Sequence, residues 1–261
     1  MQGPFGGYDH DSLQYHVFCD GLVGAARLFR SGSLEHASLW LCRDGLLEEI
    51  ARGDGPLEAG PGPGLDTRAG GLAFTVDDAG ITVAAPEHGV RMRLVPRQEL
   101  RWSDTISDVI HQPDLDVTLT LDGAEHRGIG YCKRYSWTPA PRHWGYRFVQ
   151  GFAGPPRTGV WTAEATFGTG KYDYFKLLDP TSTVREAGPA GSCHRQDAVH
   201  ARVDGVPVAL ALEELAVWEA PLVSDRMDSL LRQRVCRLRM ETGGRTLLGH
   251  AINETCYGTL G

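Results

Sequence analysis

Residues 159–178 read G-V-W-T-A-E-A-T-F-G-T-G-K-Y-D-Y-F-K-L-L. Two runs rich in aromatic and aliphatic residues meet at Gly168-Thr169-Gly170, and a short glycine-bearing connection between such runs signals a β-hairpin. A three-residue loop would set Phe167 opposite Lys171, Ala165 opposite Asp173, Ala163 opposite Phe175 and Trp161 opposite Leu177. Side chains alternate along a strand, so these eight would share one face, apolar away from the turn. Thr162, Glu164, Thr166, Tyr172, Tyr174 and Lys176 would share the other. In that register Asp173 stands at the edge of an aromatic surface, where lost hydration favours the protonated carboxyl and makes it a proton donor. Changing the turn by one residue would move Asp173 to the polar face.

The same rhythm continues outward in both directions. Asp20-Gly21, Asp122-Gly123, Asp204-Gly205 and Gly243-Gly244 separate short runs of alternating or apolar residues, a spacing that predicts about fourteen antiparallel strands. Two stretches break it. D-G-L-L-E-E-I-A-R-G (44–53) suits a short helical turn, and 103–109 suits another, with Ser103 as cap and Pro113 as stop. G-D-G-P-L-E-A-G-P-G-P-G (53–64) reads as an exposed loop or a lid, and 180–196 as a polar linker. Strands never alternate with helices, and no glycine cluster matches a phosphate loop, so a nucleotide-binding parallel sheet is not expected.

Composition narrows the function. The 261 residues carry a net charge of −7 with no basic run, which argues against a nucleic-acid partner. No apolar stretch approaches the roughly 18 residues of a membrane span, and M-Q-G-P-F-G-G-Y-D-H lacks the regions of a signal peptide, so the expectation is a cytoplasmic, soluble protein. Six cysteines (19, 42, 132, 193, 236 and 256) without a C-x-x-C pair suggest reduced, mostly buried thiols. Ten histidines form no local ligand set, so no metal is expected, and neither a G-x-S-x-G nor an activated cysteine supports a nucleophilic enzyme.

The densest aromatic segment is H-R-G-I-G-Y-C-K-R-Y-S-W-T-P-A-P-R-H-W-G-Y-R-F-V-Q-G (126–151). Tyr131, Lys133, Tyr135 and Trp137 would share one strand face; Trp144, Tyr146, Phe148 and Gln150 would share a face of the next. The blocks G-Y-C-K-R-Y-S-W, W-G-Y-R-F-V-Q-G, W-T-A-E-A-T-F-G-T-G-K-Y-D-Y-F-K and the terminal I-N-E-T-C-Y-G resemble the carotenoid 1,2-hydratase and AttH-like proteins. That resemblance spans mainly 126–258. It implies an all-β protein of two lipocalin-like antiparallel β-barrels or half-barrels in tandem, here 1–125 and 126–261, with the first barrel reduced. It further implies cofactor-independent chemistry on a hydrophobic isoprenoid or polyketide-like molecule: alkene hydration or dehydration, isomerisation or cyclisation.

Protonating an isolated alkene needs a desolvated acid and aromatic faces to steady the carbocation. Asp173 is the acid of choice on this reading, with His143 as a base at the cavity rim and Glu254 with His250, on one face of the last strand, as a second acid–base pair. Trp161, Phe167, Phe175, Tyr131, Tyr135, Trp137, Trp144 and Tyr146 would line the cavity. A non-catalytic carrier of an apolar ligand needs the same barrel but no interior ionisable group, and an interaction module needs no cavity at all. The sequence leaves room for a homo-oligomer.

Overall fold

The computed structural model describes residues 9–59, 65–78, 80–103, 107–138, 143–167, 170–223 and 227–260. Strands make up nearly all of them, and no α-helix occurs among the described residues. The first twelve strands are β1 (His10–Cys19), β2 (Leu22–Ser31), β3 (Leu34–Arg43), β4 (Leu46–Asp54), β5 (Glu58–Ala59), β6 (Leu65–Ala69), β7 (Leu72–Asp77), β8 (Gly80–Ala85), β9 (Val90–Pro96), β10 (Leu100–Ser103), β11 (Ser107–Leu121) and β12 (Ala124–Trp137). The remaining eight are β13 (His143–Gly154), β14 (Thr158–Phe167), β15 (Gly170–Leu178), β16 (Val184–Arg195), β17 (Ala198–Val203), β18 (Val206–Val223), β19 (Met227–Thr242) and β20 (Arg245–Leu260).

They form two antiparallel sheets. The first runs β4-β3-β2-β1-β12-β11-β9-β8-β7-β6-β5, with β10 paired to β11; the second is a closed barrel, β13 through β20 in order. The chain is thus all-β, two lipocalin-like sheets in tandem. The first sheet curls until β4 approaches β6 and β7. At that meeting Gly70 has φ +53, and a Cβ on it would lie 2.5 Å from Gly53 Cα and Arg52 O, so only glycine fits. Turns follow the sequence signals: Asp122-Gly123 and Asp204-Gly205 both hold two consecutive positive φ angles, the type I′ geometry that suits a right-twisted hairpin.

Tyr15, Val17, Leu28, Leu39, Phe74, Val83, Met92, Val117 and Leu119 pack as one apolar cluster along the inner face of the first sheet. Val149, Val160, Phe175, Leu177, Val199, Leu210, Cys236, Leu238, Met240 and Ala251 form the second cluster. These residues come from seven strands around a closed barrel, so they fill its interior.

Several expectations change. Residues 46–54 are strand β4, because pairing with β3 overrides any local helical preference. From Ser107 the 103–109 segment is strand as well, and Pro113 lies within β11 at a register shift between Gln112 and Leu115, a bulge where its missing N–H costs no ladder bond; residues 104–106 lie outside the described ones. The supposed linker supplies β16, which the barrel needs to close between β15 and β17. The first sheet, with twelve strands, is not reduced.

The chain divides into compact units nearer residue 140 than 126. One unit runs from Met1 to Ala140, and the other is built on Pro141–Leu222 and Asp228–Leu260. Residues 126–137 therefore fall in the first unit: β12 pairs with β1 over His10↔Trp137 through Cys19↔Gly128, and with β11 on its other side.

Candidate functional site

Two polar and aromatic clusters stand on sheet faces opposite the apolar cores, one in each unit. In the second unit the register of β20, β13, β14 and β15 decides which side chains meet. Glu254 stands opposite Phe148, Phe148 opposite Ala163, and Ala163 opposite Tyr174. The small Ala163 leaves room for the rings on either side of it, and Phe148 and Tyr174 meet edge to face with centroids 6.3 Å apart. Tyr146 lies one pair further along β13, and its hydroxyl donates to Glu254 Oε1 at 2.8 Å. Gln233 Nε2 donates to Oε2 at 2.5 Å. Glu254 is 0 % exposed, and Trp161, Ile252 and Gln150, all buried, share its face. The buried carboxyl thus receives a hydrogen bond from a tyrosine and from an amide beside an aromatic surface, a setting suited to proton transfer.

Asp173 is not part of this cluster. β14 and β15 are joined by two residues, Phe167 pairing with Gly170, so every later pair slips by one: Glu164 faces Asp173, Thr162 faces Phe175, Val160 faces Leu177. Asp173 is exposed, which removes the desolvation argument for it as an acid. The slip also parts Trp161 from Phe175, which points into the barrel core. His250 does not reach Glu254, being four residues, or about 13 Å, along the same strand; burial, with Arg237 nearby, lowers its pKa. The side chains of His143, Trp144 and Phe167 lie outside the described residues.

In the first unit the register of β3, β2, β1, β12 and β11 lines up Ser38, Arg27, Gln14, Lys133 and His111 as one row across five strands. All five are buried. Tyr131 and Tyr135 flank Lys133 on β12, on the one face that alternation assigns them. His111 Nδ1 lies 2.5 Å from the Tyr131 hydroxyl, and Nε2 lies 2.9 Å from that of Tyr135. Both ring nitrogens thus meet a tyrosine hydroxyl, and in either neutral tautomer one would donate and the other accept. Tyr135 stacks on Trp137, whose ring meets His10 with centroids 4.9 Å apart. Lys133 and Arg134 point to opposite faces; Arg134 bonds Asp11 through both nitrogens, with Ser136 Oγ donating to Asp11 Oδ1 at 3.0 Å, as a buried pair on the core side. Burial raises the Asp11 pKa, and the Arg134 guanidinium opposes that rise.

Sequence reasoning misses Gln14, Arg27 and His111, although a legible signal exists for two of them: S-L-Q-Y-H-V (12–17) alternates strictly, and Arg27 interrupts the apolar run V-G-A-A-R-L-F. Five cysteines are free and buried. Burial pushes Cys19 and Cys236 up to about 11, so neither is a ready nucleophile. Among the described residues no group of three His, Cys, Asp or Glu could hold a metal ion, and no helix is long and apolar enough to cross a membrane. An open groove of about 650 Å³ at the turn end of β17–β18 and β19–β20, lined by His200, Arg202, Glu241 and Arg245 among others, contains neither cluster.

Two lipocalin-like sheets in one chain, each with a buried polar and aromatic face, define a tandem-barrel β protein. No family model matches the sequence, and a comparison with curated proteins finds no match. Solved structures are similar. An AttH-like protein from Nitrosomonas europaea has a TM-score of 0.63 at 12% identity, over 95% of this chain and 92% of that one. Kievitone hydratase from Nectria haematococca has 0.61 at 10%, over 94% and 88%. CghA has 0.58 at 13%, over 97% and 89%. At these identities the likeness is one of fold: the chain shares the all-β tandem architecture of these three structures.

Proposed function

We propose that the protein is a cofactor-independent enzyme acting on a hydrophobic small molecule by acid–base chemistry, namely alkene hydration or dehydration, isomerisation or cyclisation. The observation that carries this reading is Glu254, a carboxyl buried among aromatic rings and held by Tyr146 and Gln233. A carrier has no use for such a group, and burying a carboxyl costs stability unless something offsets it. In a hydration, protonated Glu254 gives its proton to an alkene carbon, the cation rests against the faces of Phe148 and Trp161, and water adds while the carboxylate recovers a proton. Tyr146 and Gln233 stabilise the carboxylate while its proton is away. The similarity to kievitone hydratase is in keeping with this chemistry.

The test extracts any small molecule that co-purifies, and returns it, with a panel of terpenoid and polyketide-like alkenes, to the wild type, Glu254→Gln and Asp173→Asn. Conversion by the wild type should fall by about a hundredfold or more in Glu254→Gln and stay unchanged in Asp173→Asn. An apolar molecule recovered intact after incubation with the wild type would favour a carrier instead.

A further inference from the structure

The polar row of the first unit holds a cation without a counter-charge. Arg27 is 3 % exposed, its Nε donates to Ser12 Oγ at 3.4 Å, and its guanidinium carbon lies 4.6 Å over the Phe29 ring. Its Nη1 is buried with no hydrogen-bond partner among the described residues, and no described carboxylate pairs with it. Two carboxylates of the same sheet are committed elsewhere: Asp54 bonds His36 and Arg52, and Asp11 bonds Arg134 on the opposite face. Burial keeps His10 and His36 neutral at pH 7, so the neighbouring rings neither offset the Arg27 charge nor add to it. Directly across from Arg27 on β1, Gln14 Oε1 is also buried without a partner among the described residues. Lys133 stands opposite Gln14 on its other side and is buried in the same row.

A buried guanidinium N–H left unmatched is costly, and more so than a neutral donor. An unmatched acceptor next to it on the same sheet face leaves a buried donor and a buried acceptor side by side. The geometry points to a subsite for the acidic oxygen of an otherwise apolar ligand, a carboxylate or enolate received by Arg27, with Gln14 accepting a neighbouring hydroxyl or N–H. Phe29 beneath the guanidinium holds its plane, and the fixed fork of donors suits a carboxylate better than a lone ammonium would. Every residue of this subsite comes from the first unit, whereas Glu254 belongs to the second, so the assignment stands or falls without the proposed chemistry.

Isothermal titration calorimetry on the full-length protein compares a panel of hydrophobic carboxylates, laurate and 2-naphthoate among them, each with its neutral amide. At least one acid should bind about tenfold or more tightly than its amide, and the preference should persist from about 0.05 to about 0.5 M salt, as a buried pair requires. Arg27→Met should keep the fold, since an apolar side chain can replace a buried charge without loss, and should abolish the preference; Arg27→Lys should retain part of it. Equal affinity for every acid and its amide, a preference that survives Arg27→Met, or one that vanishes with salt as an adventitious surface ion would, overturns the assignment. If Arg27→Met does not fold, the wild-type comparison and Arg27→Lys still decide.

Discussion

Glu254 and Asp173 show how far a carboxylate's chemistry depends on which way it points. Both sit in aromatic, apolar sequence, K-Y-D-Y-F and I-N-E-T-C-Y, yet one is fully buried and the other exposed. Alternation in the last strand is sufficient to group Glu254 with Ile252 and Cys256. For Gln14 alternation gives the face but not its burial, because a polar stripe along a strand ordinarily means solvent, and the same holds for His10 and His111. That burial has a measurable consequence. His10 titrates at about 3 and His36 at about 4 in the folded chain, against 6.5 when free. Burial dominates both; Arg27 adds to it at His10, while the hydrogen bond to Asp54 opposes it at His36. Both values are depressed, so below about pH 6.5 the unfolded chain takes up protons that the folded chain refuses. Stability is therefore full above about pH 6.5 and declines as pH falls toward about 4, by on the order of a few kcal/mol for the pair. Urea midpoints measured between about pH 7.5 and about pH 4.5 should fall accordingly, and His10→Phe, which suits the neighbouring Phe29 and Trp137 rings, should flatten part of the slope. A slope identical in the variant would exclude His10 as its source.

At the scale of elements, the hairpin of β14 and β15 is legible in the sequence but its register is not. A glycine-bearing turn of two residues and one of three look alike in sequence, and the difference inverts every face that follows. β16 is hidden for another reason: A-G-P-A-G-S within it has no strand propensity, and barrel closure imposes the conformation. The observed register makes a prediction that separates it from the alternative. Glu164 faces Asp173 on one side and Arg147 on the other, and like charges directly opposite each other weaken a ladder. Asp173→Lys should therefore be neutral or stabilising, by up to about 1 kcal/mol in urea unfolding. With a three-residue turn residue 173 would stand opposite Ala165 instead of Glu164, so the new ammonium would gain no cross-strand carboxylate, and a clearly destabilised variant would argue for that register.

On the scale of the whole molecule, the pairing of β12 decides which residues unfold together. Strands in sequence order usually neighbour one another, and 126–151 reads as one aromatic block, so its sequence alone places all of it in the second half. The sheet instead returns β12 to the middle of the first unit, where it pairs with β1 along the full length of that strand and the buried Arg134–Asp11 pair ties its core side. Removing one partner of such a pair costs roughly 3–5 kcal/mol, so β12 cannot detach while β1 stays folded. Cooperative units lose amide protection together. Hydrogen exchange followed by mass spectrometry in sub-denaturing urea should therefore show peptides from 124–137 opening at the same urea concentration as 10–19. Peptides from 143–154, in the closed barrel, should follow the remaining barrel strands. A peptide spanning 124–137 that tracked 143–154 while 10–19 opened separately would return the boundary to residue 126 and dissolve the row that aligns Arg27, Gln14, Lys133 and His111.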